Sequence, residues 1–263
     1  MKSAWQSTSA THNDTAPSKP ARLSLSLACV LALAGVITLP TEVRGNPISW
    51  NSNWGVNGGY TNNPYGYKLT GTGQKWTNHV TYNDTGRSNL ELNNVNGRDL
   101  NVSGTRGGWL NIRLVDTTFN LPGVSRANIS GNVMVDLKAT GGNNIIREVN
   151  NTANRVSLNA DQGGSITVGT FNQSNENSEL VIQNASGSVV IGTLNQGGGN
   201  VYQRSEEVTT ANITGGHYYQ GYGPTGGSSF GPSGDGGQIG TLNLQGGAFT
   251  QYAGQITDVN QSG

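Results

Sequence analysis

Residues 191–199 read IGTLNQGGG, and residues 239–247 read IGTLNLQGG. The same five letters return 48 positions apart, with glycines close behind. A degenerate copy, ITGGH at 213–217, lies between them, and VGTFN at 168–172 precedes them. Val168, Ile191, Ile213 and Ile239 then follow one another at steps of 23, 22 and 26. Recurrence at about 20–50 residues marks a stacked architecture, in which each repeat buries its apolar face against its neighbours.

The runs around these letters decide what is stacked. WLNIRL (109–114), SITVGTFN (165–172), ELVIQNA (179–185) and SVVIGTLN (188–195) are short and rich in β-branched residues. Gly, Asn and Asp separate them, and no stretch sustains a helical period. The fold class expected is therefore all-β, a parallel β-solenoid with a period of about 23 residues. Residues 89–263 would supply seven or eight turns, a rod about 35 Å long at the usual strand spacing.

Each repeat letter has a physical use. Val168, Ile191, Ile213 and Ile239 are expected to point inwards and stack. Phe171, Leu194 and Leu242, three positions on, would face the other way along a straight strand, so a corner at the intervening Gly-Thr is needed to turn both sets inwards. Asn172, Asn195 and Asn243 then recur at one position of successive turns, where their amides can bond to the copies above and below. His217 takes that ladder position in ITGGH. Residues 221–238, GYGPTGGSSFGPSGDGGQ, carry too many glycines and prolines for a central strand and are read as a surface loop replacing one.

The chain has 263 residues with 40 Gly and 33 Asn. Charged residues are 11% and sum to zero, so neither nucleic acid nor an acidic membrane surface is indicated as partner. Residues 1–45 read as a signal peptide for the Sec translocase. Lys2, Lys19 and Arg22 precede an uncharged run, Leu23 to Leu39, and Pro40 stops it. Val43-Arg44-Gly45 offers small residues for cleavage, giving Gly45 and Asn46 as the processing site. Cys29 leaves with the signal, and the mature chain then has no disulfide. Residues 46–88 hold Trp50, Trp54, Tyr60, Tyr65, Tyr67, Trp76 and Tyr82 between turns, and are read as an aromatic N-terminal cap over the end of the stack.

The residues that run catalysis are sparse. The mature histidines, His79 and His217, are far apart, and HExxH, CxxC and a G-x-S-x-G elbow are absent from the sequence. No metal or cofactor is expected. Gly221 to Gly226 fits G-x-G-x-x-G, but no helix pattern follows to hold a phosphate, so no nucleotide is expected. Asp136 and Asp161 are 25 positions apart, as are Glu91 and Asp116, a spacing that would make each pair neighbours on adjacent turns. Paired carboxylates on a β-solenoid would suit a polysaccharide lyase or hydrolase, the alternative to a non-enzymatic reading.

KPARLSLSLACVLALAGVITLP (19–40), ISWNSNWGVNGGY (48–60), GTGQKWTNHVTYN (71–83), GRDLNVSGTRGGWLNIRL (97–114) and the IGTLN repeats together resemble the VacA-like (vacuolating-cytotoxin-like) autotransporters of Helicobacter. The resemblance covers most of the chain through loose, short motifs. It implies a right-handed parallel β-helix, a surface or host-interaction role such as adhesion, and a host receptor or glycan as partner. Two departures stand out. The toxin's mature start is apolar and GxxxG-rich, whereas Asn46 leads directly into polar, aromatic sequence. No alternating barrel strands precede the final QITDVNQSG. The expectation is the N-terminal part of a longer or split passenger, whose barrel translocator lies elsewhere. Its location would be the cell surface or beyond with that barrel, and the periplasm without it.

Overall fold

A computed structural model describes residues 48–50, 67–70, 75–82, 86–94, 96–119, 125–226, 229–232 and 235–262. The expected signal peptide and its proposed Gly45/Asn46 site lie outside the described residues, as does most of 46–66. All regular structure among the described residues is strand. The first eight strands are β1 (Ile48–Trp50), β2 (Tyr67–Thr70), β3 (Lys75–Tyr82), β4 (Arg87–Asn93), β5 (Asn96–Val115), β6 (Thr118–Phe119), β7 (Arg126–Gly141) and β8 (Asn143–Ala160). Then follow β9 (Ser165–Gln173), β10 (Glu179–Asn184), β11 (Ser188–Gln196), β12 (Asn200–Gln203), β13 (Glu207–Ile213) and β14 (His217–Gln220). The last are β15 (Tyr222–Gly226), β16 (Ser229–Pro232), β17 (Gln238–Leu244), β18 (Ala248–Gln251) and β19 (Gln255–Gln261).

Seventeen of these strands form one curled parallel sheet. Neighbours in the sheet are mostly not neighbours in the chain. β9 bonds to β11, β11 to β13 and β13 to β17, while β10 bonds to β12, β12 to β14 and β14 to β18. That order is consistent with a β-solenoid built of two strand segments per repeat. In the N-terminal half one long strand supplies both segments by bending. β5 and β7 bend together at Gly131, where φ is 80° and a Cβ would stand 2.3 Å from the Gly104 carbonyl oxygen. From β9 onwards a turn replaces the bend. The parallel pairing does not begin at residue 89, because Tyr67 already pairs with Leu90 and Val80 with Val102.

The interior is a set of stacked apolar columns. One runs Ile146, Val168, Ile191, Val208, Ile239, Ile256, and the next runs Val149, Phe171, Leu194, Ala211, Leu242, continued in register by the exposed Val259 of β19. Val168, Phe171, Ile191, Leu194, Ile239 and Leu242 are all 0–2% exposed. In a straight strand residues three apart face opposite ways. β11 reconciles them with a phase change: burial alternates up to Ile191, lapses at Gly192 and Thr193, and resumes at Leu194.

Three expectations need correction. Ile213 does not stand in the Ile191 column; Val208 does, and Ile213 pairs instead with Gln196 and Leu244. His217 is not in the asparagine ladder, where Asn212 stands between Asn195 and Asn243. Both errors come from the repeat length, which changes along the stack. Asn195 to Asn212 and Asn243 to Asn260 are steps of 17 in sequence, whereas Asn212 to Asn243 is a step of 31. The copy between the two IGTLN motifs is therefore EVTTANI (207–213), not ITGGH. The extra length in the longer step is the third correction: β15 and β16 pair antiparallel as a hairpin. The Gly-rich stretch is thus inserted between two repeats and replaces no strand, since β14 and β18 pair directly across it.

Candidate functional site: an aromatic strip beside the hairpin

Two families of amide side chains recur along the stack, a half-exposed row of asparagines on outward strand positions and a set of buried glutamines. Asn101, Asn128, Asn150, Asn172, Asn195, Asn212, Asn243 and Asn260 form one ladder, each Nδ2 donating to the Oδ1 of the preceding asparagine at 2.7–2.9 Å. Backbone register extends this column to His79, opposite Asn101. Buried glutamines close the strand ends. Gln196 Nε2 donates to the carbonyls of Gly199 and His217, and Gln203 Nε2 donates to those of Glu206 and Gln238. Such groups satisfy turn carbonyls that would otherwise be buried without partners.

The outward face of the short strands carries the departures from the repeat. Alternation along β14 puts Tyr218 and Gln220 inside and leaves His217 and Tyr219 half-exposed. Tyr219 stands in register with Tyr202, and their rings stack at 5.2 Å with planes 8° apart. The His217 ring lies on Tyr219 at 4.0 Å and 4°, and its Nε2 is 2.8 Å from Thr250 Oγ1. Tyr222, first residue of the hairpin, leans over both tyrosines, 5.6 Å from Tyr219 and 6.3 Å from Tyr202. Tyr252 stacks on Tyr222 at 4.9 Å and is itself 50% exposed. Burial pushes the Tyr202 phenol up to about 12, with Glu179 and Tyr219 adding to the shift. Burial, Tyr252 and Tyr222 raise Tyr219 in the same way. The phenols are thus close enough to feel one another.

Towards the N-terminus the same face continues. Trp109, Met134, Arg155, Glu179, Asn200 and His217 follow one another in register on β5, β7, β8, β10, β12 and β14. Arg155 pairs with Glu179, its Nε 2.6 Å from Oε2, and its guanidinium also lies 5.8 Å from the Trp109 ring centre. Arg87 lies 5.2 Å from the same ring. Met134, Asn154, Arg155, Asn177 and Glu179 line a cleft of about 310 Å³. From Trp109 to Ala248, which pairs with His217, is six strand spacings, about 29 Å along the stack.

The proposed carboxylate pairs are not assembled. Asp136 stands in register between Asn111 and Ser157, while Asp161 pairs with Lys138 at 3.0 Å. Glu91 faces Arg113 across the strands and pairs with it at 3.5 Å, and Asp116 lies in the turn beyond Val115. The spacing of 25 shared by the two carboxylate pairs does not mark neighbours, because the register advances by 21 at Asp136, to Ser157, and by 22 at Glu91, to Arg113. Asp136 is still unusual: its Oδ1 is buried without a hydrogen-bond partner, and burial raises it to about 6 against the pull of Lys138 and Arg87. Glu206, Glu207 and Asp235 line a second cleft of about 450 Å³. Among the described residues no group of three His, Cys, Asp or Glu side chains is placed to hold a metal ion.

The sequence pattern missed the strip because tyrosine adjacent to glutamine, as in VYQ and HYYQ, carries no repeat letter. The signal available was the kinship of VYQ (201–203) with YYQ (218–220), which pair in register one short repeat apart. No protein-family model, curated protein or solved structure matches the chain.

Proposed function

We propose that the chain is an exported, non-enzymatic β-solenoid, a right-handed parallel β-helix of the VacA-like passenger kind, that serves adhesion or another contact with a host cell surface. The strand order, with each segment bonded to the one a repeat earlier, supports the solenoid. Right-handedness follows the general hand of parallel crossovers and the resemblance above. The observation that carries the binding role is the strip from Trp109 to Tyr252. The interior is uniform from repeat to repeat, whereas this outward face gathers tyrosines, a histidine and an inserted hairpin. Tyrosine and tryptophan present an apolar body and a polar tip, which is why they concentrate at binding surfaces.

Export through the Sec translocase, cleavage between Gly45 and Asn46, and a barrel translocator in a full-length relative belong to the same reading. The binding test is saturable attachment of labelled protein to epithelial cells. The reading expects attachment that falls when Tyr219 and Tyr252 are both replaced by alanine. Attachment that does not saturate, or that ignores these substitutions, would remove the role. For export, N-terminal sequencing of the secreted protein should begin at Asn46.

A further inference from the structure

We infer that the strip binds a neutral, linear oligosaccharide. The inference deepens the surface-binding reading and rests on it. The shape is the first argument. The outward side chains run along the stack for about 29 Å, in a line one or two side chains wide, which suits an extended polymer better than a compact ligand. The chemistry is the second. A sugar ring has apolar C–H faces and a rim of hydroxyls. Tyr252 offers exposed ring surface for the former, and the half-exposed Tyr219 and Tyr222 beside it offer phenol donors and acceptors for the latter. The cleft beside Tyr202 adds the Asn154 and Asn177 amides, planar groups that can donate and accept at once.

Charge narrows the class. The cleft holds one arginine and one glutamate, and they are paired with each other, while Arg87, the other cation of the strip, lies over the Trp109 ring at its far end. A sulfated or phosphorylated chain is recognised by cationic groups facing the anion, whereas this pair presents no net charge. Backbone pairing argues against an extended peptide. A peptide that adds to a sheet needs an open strand edge. β12 is bonded on both sides, to β10 and β14, and β14 is bonded to β12 and β18. The strip therefore offers side chains and no free backbone.

Isothermal titration of the full chain with cellohexaose, maltohexaose, chitohexaose and a heparin hexasaccharide tests this. The expected result is saturable binding of at least one neutral hexasaccharide, unchanged between low and high salt. Tyr252→Ala should weaken it about tenfold while leaving thermal unfolding in place, because that ring is half-exposed. Asn177→Ala, on the cleft wall, should weaken it as well. Three results would overturn the inference: no neutral hexasaccharide binds, only the heparin fragment binds and salt weakens it, or both variants bind like the parent. If cells are bound through the tyrosines while the glycans fail, the partner is not a neutral glycan and the surface-binding reading stands alone. If the glycans bind through Tyr252 while cells do not, the host-contact role fails and the ligand class survives.

Discussion

Replacing Asn212 by alanine is expected to destabilise the stack several times as much as replacing Asn260. Asn212 sits inside the ladder. Its Nδ2 donates to Asn195 Oδ1 at 2.8 Å, and its Oδ1 accepts from Asn243 Nδ2 at 2.7 Å. Asn260 makes a single exposed ladder bond, Nδ2 to Asn243 Oδ1 at 2.9 Å. A net value of about 1 kcal/mol per intramolecular hydrogen bond puts Asn212→Ala near 2 kcal/mol. The neighbouring amides are only part-buried and regain water, so no further desolvation cost is added. Asn260→Ala should cost about 0.5 kcal/mol, the low end of the range for a bond already open to solvent. Urea unfolding followed by circular dichroism near 218 nm measures both. Equal losses would refute the ladder as a cooperative stabiliser, and a smaller loss for Asn212→Ala would contradict its place inside the ladder. The same spectra test the architecture, since substantial helix in residues 46–263 would be incompatible with it.

Three further outcomes follow from particular contacts. Gln203→Leu leaves the Tyr218 hydroxyl and the Glu206 and Gln238 carbonyls without their partner in the interior, and should cost about 3 kcal/mol in urea unfolding. Gly199→Ala introduces a Cβ at φ 69°, 2.1 Å from the Ser178 carbonyl oxygen, and should lower stability by about 3 kcal/mol in the same assay. Asp136→Asn should stabilise the protein at pH 8 and not at pH 3.5. Burial raises its folded-state value from 3.8 to about 6, so the stability it contributes is fully present below 3.8 and lost as pH rises through 6. About 1.4 kcal/mol per unit sets a ceiling near 3 kcal/mol for the gain at pH 8. Melts at both pH values decide it: equal gains would show that the ionised carboxylate is not the cost.

The IGTLN motifs carried much of the local structure in their letters. A β-branched residue, a Gly-Thr pair, a second apolar residue and an asparagine specify an inward side chain, a change of phase, another inward side chain and a ladder amide. Each of these is a property of one strand and its own period, so it is legible in one dimension. Val168, Ile191 and Ile239, with Phe171, Leu194 and Leu242, are buried where that reading put them. The position of Asn212 was also legible in principle, because Val208 and Asn212 keep the offset of Ile191 and Asn195. Ile213 imitated the motif because the glycine pair that follows it, which belongs to a turn, looks like the glycines of the repeat.

The sequence by itself determined that the chain is all-β, that its short runs repeat, and that apolar residues face inwards with asparagine at a fixed, half-exposed place beside them. Only the tertiary structure decided which repeat lies against which, and hence which residues share a surface. Register in a parallel sheet is set by hydrogen bonds between segments whose separation in sequence runs here from 17 to 31, and an insertion changes that separation without changing the stack. Asp136 and Asp161 were separated from each other by this arithmetic. Tyr202, Tyr219, Tyr222 and Tyr252 were brought together by it, because a hairpin can leave the stack and return while the strands on either side pair as though it were not there.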